Sequence, residues 1–257
     1  MRIALISDVH ANLPALHAVL EHIRGQRGLA GTYHLGDLVG YAPWPNETVA
    51  LLRELGVPGI AGNYDSTVAT DAPHCGCRYE DPRQEALSHE SYGWTRAHVS
   101  EQTRRFLGTL PFRMDLRPRG GHTPGPRVIL VHGTPTLNTL YWTADRDDAF
   151  CLKMAEHAGA KPGDVICFGH THVPWHRQVE GIHFVNTGSV GRPKDGDWRA
   201  GYVVLDVGGE TPSVDFVRVE YDLDQAVRAI RASDLPDEFA DYLATGGKPA
   251  GANVATG

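Results

Sequence analysis

Short apolar runs that alternate with helix-period segments constrain this chain most. MRIALIS (1–7) reads as a strand. Asn12 then caps a helix with Pro14 in its first turn, and Leu13, Leu16, Leu20 and Ile23 recur at helical spacing. Residues 31–35 lead to a second strand ending at Gly36 and Asp37. Residues 46–55 predict a helix stopped by Gly56, and VPGIAGN (57–63) predicts a third strand ending at Asn63. The order β-α-β-α-β demands a sheet covered by helices. Further strands are expected at 127–133, 164–172, 182–188, 201–207 and 214–221. Helices are expected from Ser100 to near Leu110, within 138–160 and over 222–231. Residues 66–98 are polar and irregular and read as a cap or loop insertion, with helical content around 83–98. Residues 245–257 have almost nothing to bury and are expected to be disordered. No repeat or linker divides the chain, so residues 1–244 read as one domain.

Composition removes several classes of function. The 257 residues carry 24 basic and 31 acidic side chains, a net charge of −7, and no basic stripe. A nucleic-acid or anionic-membrane surface calls for the opposite bias. No apolar run reaches the length of a membrane span, and the first residues lack a basic leader, so a cytoplasmic setting is expected. The four cysteines, Cys75, Cys77, Cys151 and Cys167, do not form a disulfide framework. HCGC (74–77) has the look of a soft metal site but lacks a second cysteine pair, and an ordinary loop is the better reading.

Ligand-type residues stand at the carboxyl ends of successive apolar runs. Asp8 and His10 follow the first strand, Asp37 the second and Asn63 the third. His132 follows VILV, and His170 and His172 follow VICF. Carboxyl ends of strands are where open α/β sheets bind ligands. Side chains at i and i+2 of an extended segment point the same way, so Asp8/His10 and His170/His172 are each expected to aim a pair into one site. Each motif alone has a plainer explanation: a strand-end aspartate caps a helix, Gly36–Asp37 is a turn, and His132 is a core histidine. Their joint order does not. Two carboxylates, an amide and four imidazoles form a mixed N/O set suited to Mn, Fe, Co, Ni or Zn. They are too many for one tetrahedral ion and about right for two.

D-x-H, G-D-x-x-G, G-N-x-D, V-H-G and G-H-T-H, in that order, resemble the calcineurin-like metallophosphoesterase superfamily. SDVHAN, GDLVGYAPWPNE and NTGSVGRPKDGD resemble its compact bacterial phosphodiesterase branch. The resemblance covers about residues 1–220. It implies an α/β fold, a four-layer α/β/β/α sandwich of two mixed sheets. It implies a dinuclear centre with one ion on Asp8, His10 and His172, the other on Asn63, His132 and His170, and Asp37 bridging. Manganese is the first expectation, with Fe, Ni, Co or Zn as alternatives. It implies in-line attack on a phosphate ester by a hydroxide held between the ions, with Asp37, Asn63 and Asp65 as the catalytic set and Asp65 orienting a metal-ligating histidine. Asn12, Tyr64 and Arg192 are the expected substrate contacts; Asn12 has the competing role of helix cap.

One departure stands out. Many phosphatases of the superfamily carry G-N-H, whose histidine is the expected general acid; here Tyr64 takes that place. An ordinary tyrosine is a poor acid at neutral pH. His34, His74, His89, His98 and His122 are the other imidazoles in reach of consideration. The departure favours a phosphodiesterase with restricted substrates, or one that needs residues of the cap, over a general monoesterase. The expected partner is a small phosphate ester, with nucleotide-derived esters among the candidates, and the alternative is a protein Ser/Thr phosphatase or nucleotide monoesterase on the same scaffold. A non-catalytic scaffold, as in a retromer subunit of this superfamily, would show degraded ligands, and none is degraded here. Tyr141 and Trp142 are expected to wall the substrate pocket. Self-association is compatible with the sequence, which shows no single interface patch.

Overall fold

Elements appear along the chain as β1 (Arg2–Ile6), α1 (Leu13–Gly25), β2 (Thr32–His34), α2 (Pro45–Glu54), α3 (Asn63–Ala69), α4 (Pro82–His98) and α5 (Glu101–Leu107). They continue as β3 (Arg113–Leu116), β4 (Val128–Val131), α6 (Asp148–Ala158), β5 (Val165–Phe168), β6 (Trp175–Val179), β7 (Ile182–Asn186), β8 (Ala200–Asp206), β9 (Ser213–Val219), α7 (Leu223–Arg231) and α8 (Glu238–Ala244). The coordinates are a computed structural model that describes residues 1–77, 79, 81–118 and 125–247. His122 and residues 248–257 of the expected disordered tail lie outside these.

Two mixed sheets result, in the orders β2-β1-β8-β9 and β3-β4-β5-β7-β6. In the first, β1 and β2 run parallel while β8 is antiparallel to both β1 and β9. In the second, β4, β5 and β7 run parallel, with antiparallel β3 and β6 at the edges. The side-chain period of two explains the layering. Ile3 and Leu5 of β1 meet Val128, Leu130, Val165, Cys167, Val185, Val203 and Leu205 in a core between the sheets. The alternate residues Ala4 and Ile6 face the other way, onto Leu16, Val19 and Leu20 of α1. On the far sheet Ile129, Val131, Ile166 and Phe168 face Cys151, Met154 and Ala155 of α6. The architecture is therefore α/β/β/α, and burial on both faces is why the central strands read as unbroken apolar runs.

The expected third strand does not form. His34 and Gly59 make one isolated parallel bridge, and Asn63 opens α3 instead. Pro58 brings no N–H to a ladder, and Gly59 lies so close to His34 that a side chain there would collide with its ring. Within residues 66–98, α4 packs Leu87, Ser88, Ser91, Tyr92 and Thr95 inward, with Tyr92 edge-on to Tyr64. Residues 245–247 are placed: the Gly246 carbonyl accepts from Gly196 N–H. No helix among the described residues is long and apolar enough to cross a membrane.

Trp142 is a correction. It is 0 % exposed and lies flat on Phe168, 4.3 Å between ring centroids, in the core beneath α6. It walls no pocket. Tyr141 does: its ring stacks on His170 at 4.6 Å.

Candidate metal centre

Asp8, His10 and His172 form one buried group of potential ligands, and Asp37, His132 and His170 another. In the first, His172 Nε2 is 3.2 Å and His10 Nε2 3.7 Å from Asp8 Oδ1. In the second, His132 Nε2 is 3.4 Å from Asp37 Oδ2. The same Asp37 oxygen is 3.8 Å from His10 Nε2, so this carboxylate faces both groups. Asn63 joins the second group, its Oδ1 3.1 Å from His132 Nε2.

The expected reason for convergence is wrong, although the residues do converge. Asp8, His10, Asp37, His170 and His172 are not extended; all have φ between 47° and 65°. A left-handed backbone at non-glycine residues costs energy and gathers at functional sites. It turns each ligand off its strand end and into one place. The loops interlock to hold it: Asp8 N–H donates to Gly36 O, His10 N–H to Asp37 O and Gly191 N–H to Asp8 O.

The hydrogen bonds around the groups fix which atoms face inward. Nδ1–H of His10 donates to Val39 O at 3.1 Å, that of His132 to Leu35 O at 2.8 Å and that of His172 to Arg192 O at 2.6 Å. Each Nε2 therefore faces the groups, and on His10 and His172 it presents a lone pair. His10 Nε2 and His172 Nε2 stand 3.1 Å apart, acceptor to acceptor, and His132 Nε2 lies 3.1 Å from the Asn63 oxygen. Asp8 Oδ2 takes Ser7 Oγ–H (2.5 Å) and His170 N–H (3.0 Å), leaving Oδ1 with no partner; His170 Nε2 has none either. Buried acceptors collected without donors are unfavourable unless a cation serves them. The donor set thus fits divalent metal ions.

Electrostatics agree. Burial, with His172 beside it, pushes the His10 imidazole down to about 3, and burial next to His132 holds His170 at about 4. Both imidazoles are neutral at physiological pH, the form in which an imidazole binds a metal. His132 goes the other way, to about 10: burial opposes its charge, but the Asp37 carboxylate overrides it. A proton shared at such a pair is what a metal cation displaces.

Neighbours hold the ligands in place. The Asn63 amide nitrogen donates to Cys75 O (3.3 Å) and Cys77 Sγ (3.1 Å), which turns its oxygen toward His132. The HCGC segment is therefore support for a ligand. Asp65 does not orient a histidine, as expected from sequence; it accepts from Leu38 N–H and Gly62 N–H, both at 2.9 Å, and ties the loops that carry Asp37 and Asn63. Gly169 packs so tightly on Ser7 and Asp8 that a Cβ would collide with Asp8 Oδ2. Gly169→Ala is expected to displace Asp8 and weaken metal affinity by about 10-fold or more, comparable to loss of an outer-shell partner. Titration of the chelator-treated protein with manganese checks this.

The remaining expected contacts separate. Asn12 accepts Ala15 N–H as the cap of α1 and donates to Gly191 O at 3.0 Å, so both ends of its amide are engaged. Tyr64 is 1 % exposed and sits edge-on to His10, but its hydroxyl points away, toward Ser91 Oγ (3.4 Å) and Ser88 O (3.5 Å). Burial, with Tyr41 beside it, raises its pKa well above the usual tyrosine value. It is not a proton donor to the site. Tyr64→Phe is expected to cost no more than about 1 kcal/mol of stability, with turnover unchanged across leaving groups. A steeper leaving-group dependence in the variant would restore the hydroxyl to the chemistry. His34 is buried against Gly59, while His74, His89 and His98 are exposed. Arg192, Lys194, Tyr41, Tyr79, Tyr141 and Cys77 line the mouth above the ligands. Of these, Tyr41, Tyr79 and Lys194 had no distinguishing signal in the sequence. Burial, with Arg192 beside it, pushes the Lys194 ammonium down to about 7.

Strand-end loops converging on two carboxylate–imidazole groups, between two sheets flanked by helices, define a metallophosphoesterase-type site. Residues 1–210 match the model of the calcineurin-like phosphoesterase superfamily domain, and the chain belongs to that superfamily of phosphoester hydrolases. It is 32 % identical over 268 residues to an uncharacterised protein of Methanocaldococcus jannaschii, MJ0912, covering 95 % of this chain and 98 % of that one. It is 28 % identical to the phosphodiesterase YfcE of Escherichia coli K12, covering 80 % of this chain and 88 % of the relative. The crystal structure of a metallophosphoesterase from Sphaerobacter thermophilus superposes with a TM-score of 0.71 at 30 % identity, over 96 % of this chain and all (100 %) of that one.

Proposed function

We propose that this chain is a cytoplasmic, metal-dependent phosphodiesterase that hydrolyses a small, nucleotide-type ester with two ions, manganese first among them. Asp8, His10 and His172 hold one ion, and Asn63, His132 and His170 the other, with Asp37 between. The observation that carries this reading is the position of Asp37 Oδ2, within 4 Å of an imidazole nitrogen of each group. When bound, such ions acidify a water and neutralise charge that builds on the phosphoryl oxygens. The chain's own part is to hold ligands in fixed directions through Val39 O, Leu35 O and Arg192 O, and to shape the mouth.

Two observations favour a diester. Among the described residues no histidine outside the ligand groups lines the mouth, so esters whose leaving group needs strong acid assistance are disfavoured. A groove of about 920 Å³ shares Tyr79, Tyr141, Arg192 and Lys194 with the mouth above the ligands, with room for a second substituent on phosphorus. The relative named as a phosphodiesterase supports the same choice. The test compares bis-p-nitrophenyl phosphate with p-nitrophenyl phosphate on chelator-treated protein titrated with manganese. Metal-dependent cleavage of the diester well above the monoester is expected. Preference for the monoester would move the assignment to a phosphomonoesterase on the same scaffold.

A further inference from the structure

Arg192 is an unusual arginine in this molecule. It is 8 % exposed, and its guanidinium carbon lies 3.9 Å from the Tyr41 ring centroid and 5.8 Å from that of Phe239. Its backbone is fixed at both ends: its N–H donates to Ser189 Oγ at 2.8 Å, and its carbonyl accepts from the metal-ligand candidate His172. The guanidinium itself has no hydrogen-bond or carboxylate partner among the described residues. Neighbouring arginines do have them. Arg199 pairs with Asp197, and Arg218 with Asp195, so the acids of the same loop are already engaged. Lys194, two residues on, also has no acceptor for its ammonium among the described residues, and its backbone N–H donates to His172 O.

A guanidinium largely buried without counter-charge is costly, the more so near a lysine that also lacks an acceptor, and an anion at this place relieves the cost. Both line the mouth above the ligands, and both also line the outer groove with Tyr79, Tyr141 and Arg146. They stand one aromatic ring from the candidate metal centre: Arg192 covers Tyr41, and Tyr41 lies edge-on to His10 at 4.9 Å. The inner ligand set supplies two carboxylates, so two divalent ions leave a surplus of positive charge that one phosphoryl group already answers. Arg192 and Lys194 are surplus to that phosphoryl group.

We infer that Arg192 and Lys194 form a second anion subsite, which takes a further phosphate on the substrate while the scissile phosphate sits at the ligands. The inference rests on the phosphoesterase reading and narrows its substrate class to esters carrying at least two phosphates. A guanidinium pre-set on an aromatic ring suits the planar, two-point recognition of a phosphate, and the lysine adds a point charge beside it.

The test uses the full chain loaded with manganese and two substrates: the p-nitrophenyl ester of thymidine 5′-phosphate and the same ester bearing an additional 3′-phosphate. The second is expected to have the higher kcat/KM by about 10-fold or more, the range of one or two charge-assisted hydrogen bonds. In Lys194→Met and in Arg192→Met the ratio of the two should fall toward one. Lys194→Met loses no side-chain hydrogen bond among those described, so it keeps the test open if the arginine variant folds poorly. Calorimetric binding of AMP, ADP and adenosine 3′,5′-bisphosphate is read independently of turnover. Either two-phosphate ligand should bind more tightly than AMP, and the two together distinguish a second phosphate across the ribose from one in anhydride linkage. Equal affinity for all three, or a ratio that survives in both variants, overturns the subsite. Tight two-phosphate binding that depends on Lys194, without cleavage of either ester, leaves the subsite standing and sinks the phosphodiesterase instead.

Discussion

Asp37→Asn is expected to leave less than about 1 % of wild-type metal-dependent turnover, as large an effect as removing a principal electrostatic group from an active site. The geometry gives the reason. Asp37 Oδ1 accepts Tyr64 N–H at 2.9 Å, while Oδ2 faces His10 and His132. An asparagine keeps its oxygen on the Tyr64 N–H and must turn its NH₂ toward the two groups. A donor then stands where both need an acceptor, and the charge between them is gone. The fold is not at risk, because the amide has the shape of the carboxylate and keeps the Tyr64 N–H bond. Circular dichroism should be unchanged while activity and binding of the second manganese are lost. A variant that stays active would show that Asp37 does not join the groups.

Trp142→Ala is the largest expected effect on stability, about 3–5 kcal/mol for a fully buried aromatic. The indole stacks on Phe168 and meets Phe150, Trp175 and Phe184. Phe168 ends β5, one residue before Gly169 and two before His170. The cavity left behind lies under the loop that carries two ligands. Urea denaturation measures the loss, and KM for a small diester in the surviving folded fraction should change little. A large rise in KM with stability intact would put Trp142 back in the pocket.

What could be read from the residues follows from what their surroundings demand. β1, β4, β5, β7 and β8 are buried on both faces, so their sequences are dominated by apolar residues and stand out. Asp37 follows the short β2 and Asn63 opens α3, but the other candidate ligands stand just past three of these strands, β1, β4 and β5, which is why their identities were legible. Their backbone was not. Nothing in Asp8-x-His10 announces a left-handed turn, and the extended i, i+2 argument reached the right residues for the wrong reason. β3 (RMDL) and β6 (WHRQV) are half-exposed edge strands, too short and too polar for alternation to show. β6 had one readable signal, the Glu180–Gly181 turn with φ of 47° and 77°, which closes a tight hairpin onto β7. Tyr64, Cys77 and Lys194 take their roles from which way they point, and direction at a loop is set by contacts far away in sequence.

The measurement that goes most directly to the central claim is the spin-resonance spectrum of the protein titrated with manganese. Two groups that share Asp37 should take up about two ions per chain, close enough for their spins to couple. The six-line signal of isolated manganese should then give way to a broad, exchange-coupled spectrum as the second equivalent binds. In Asp37→Asn the isolated signal should persist. A wild-type protein that binds a single ion, or two with independent spectra, would contradict the account.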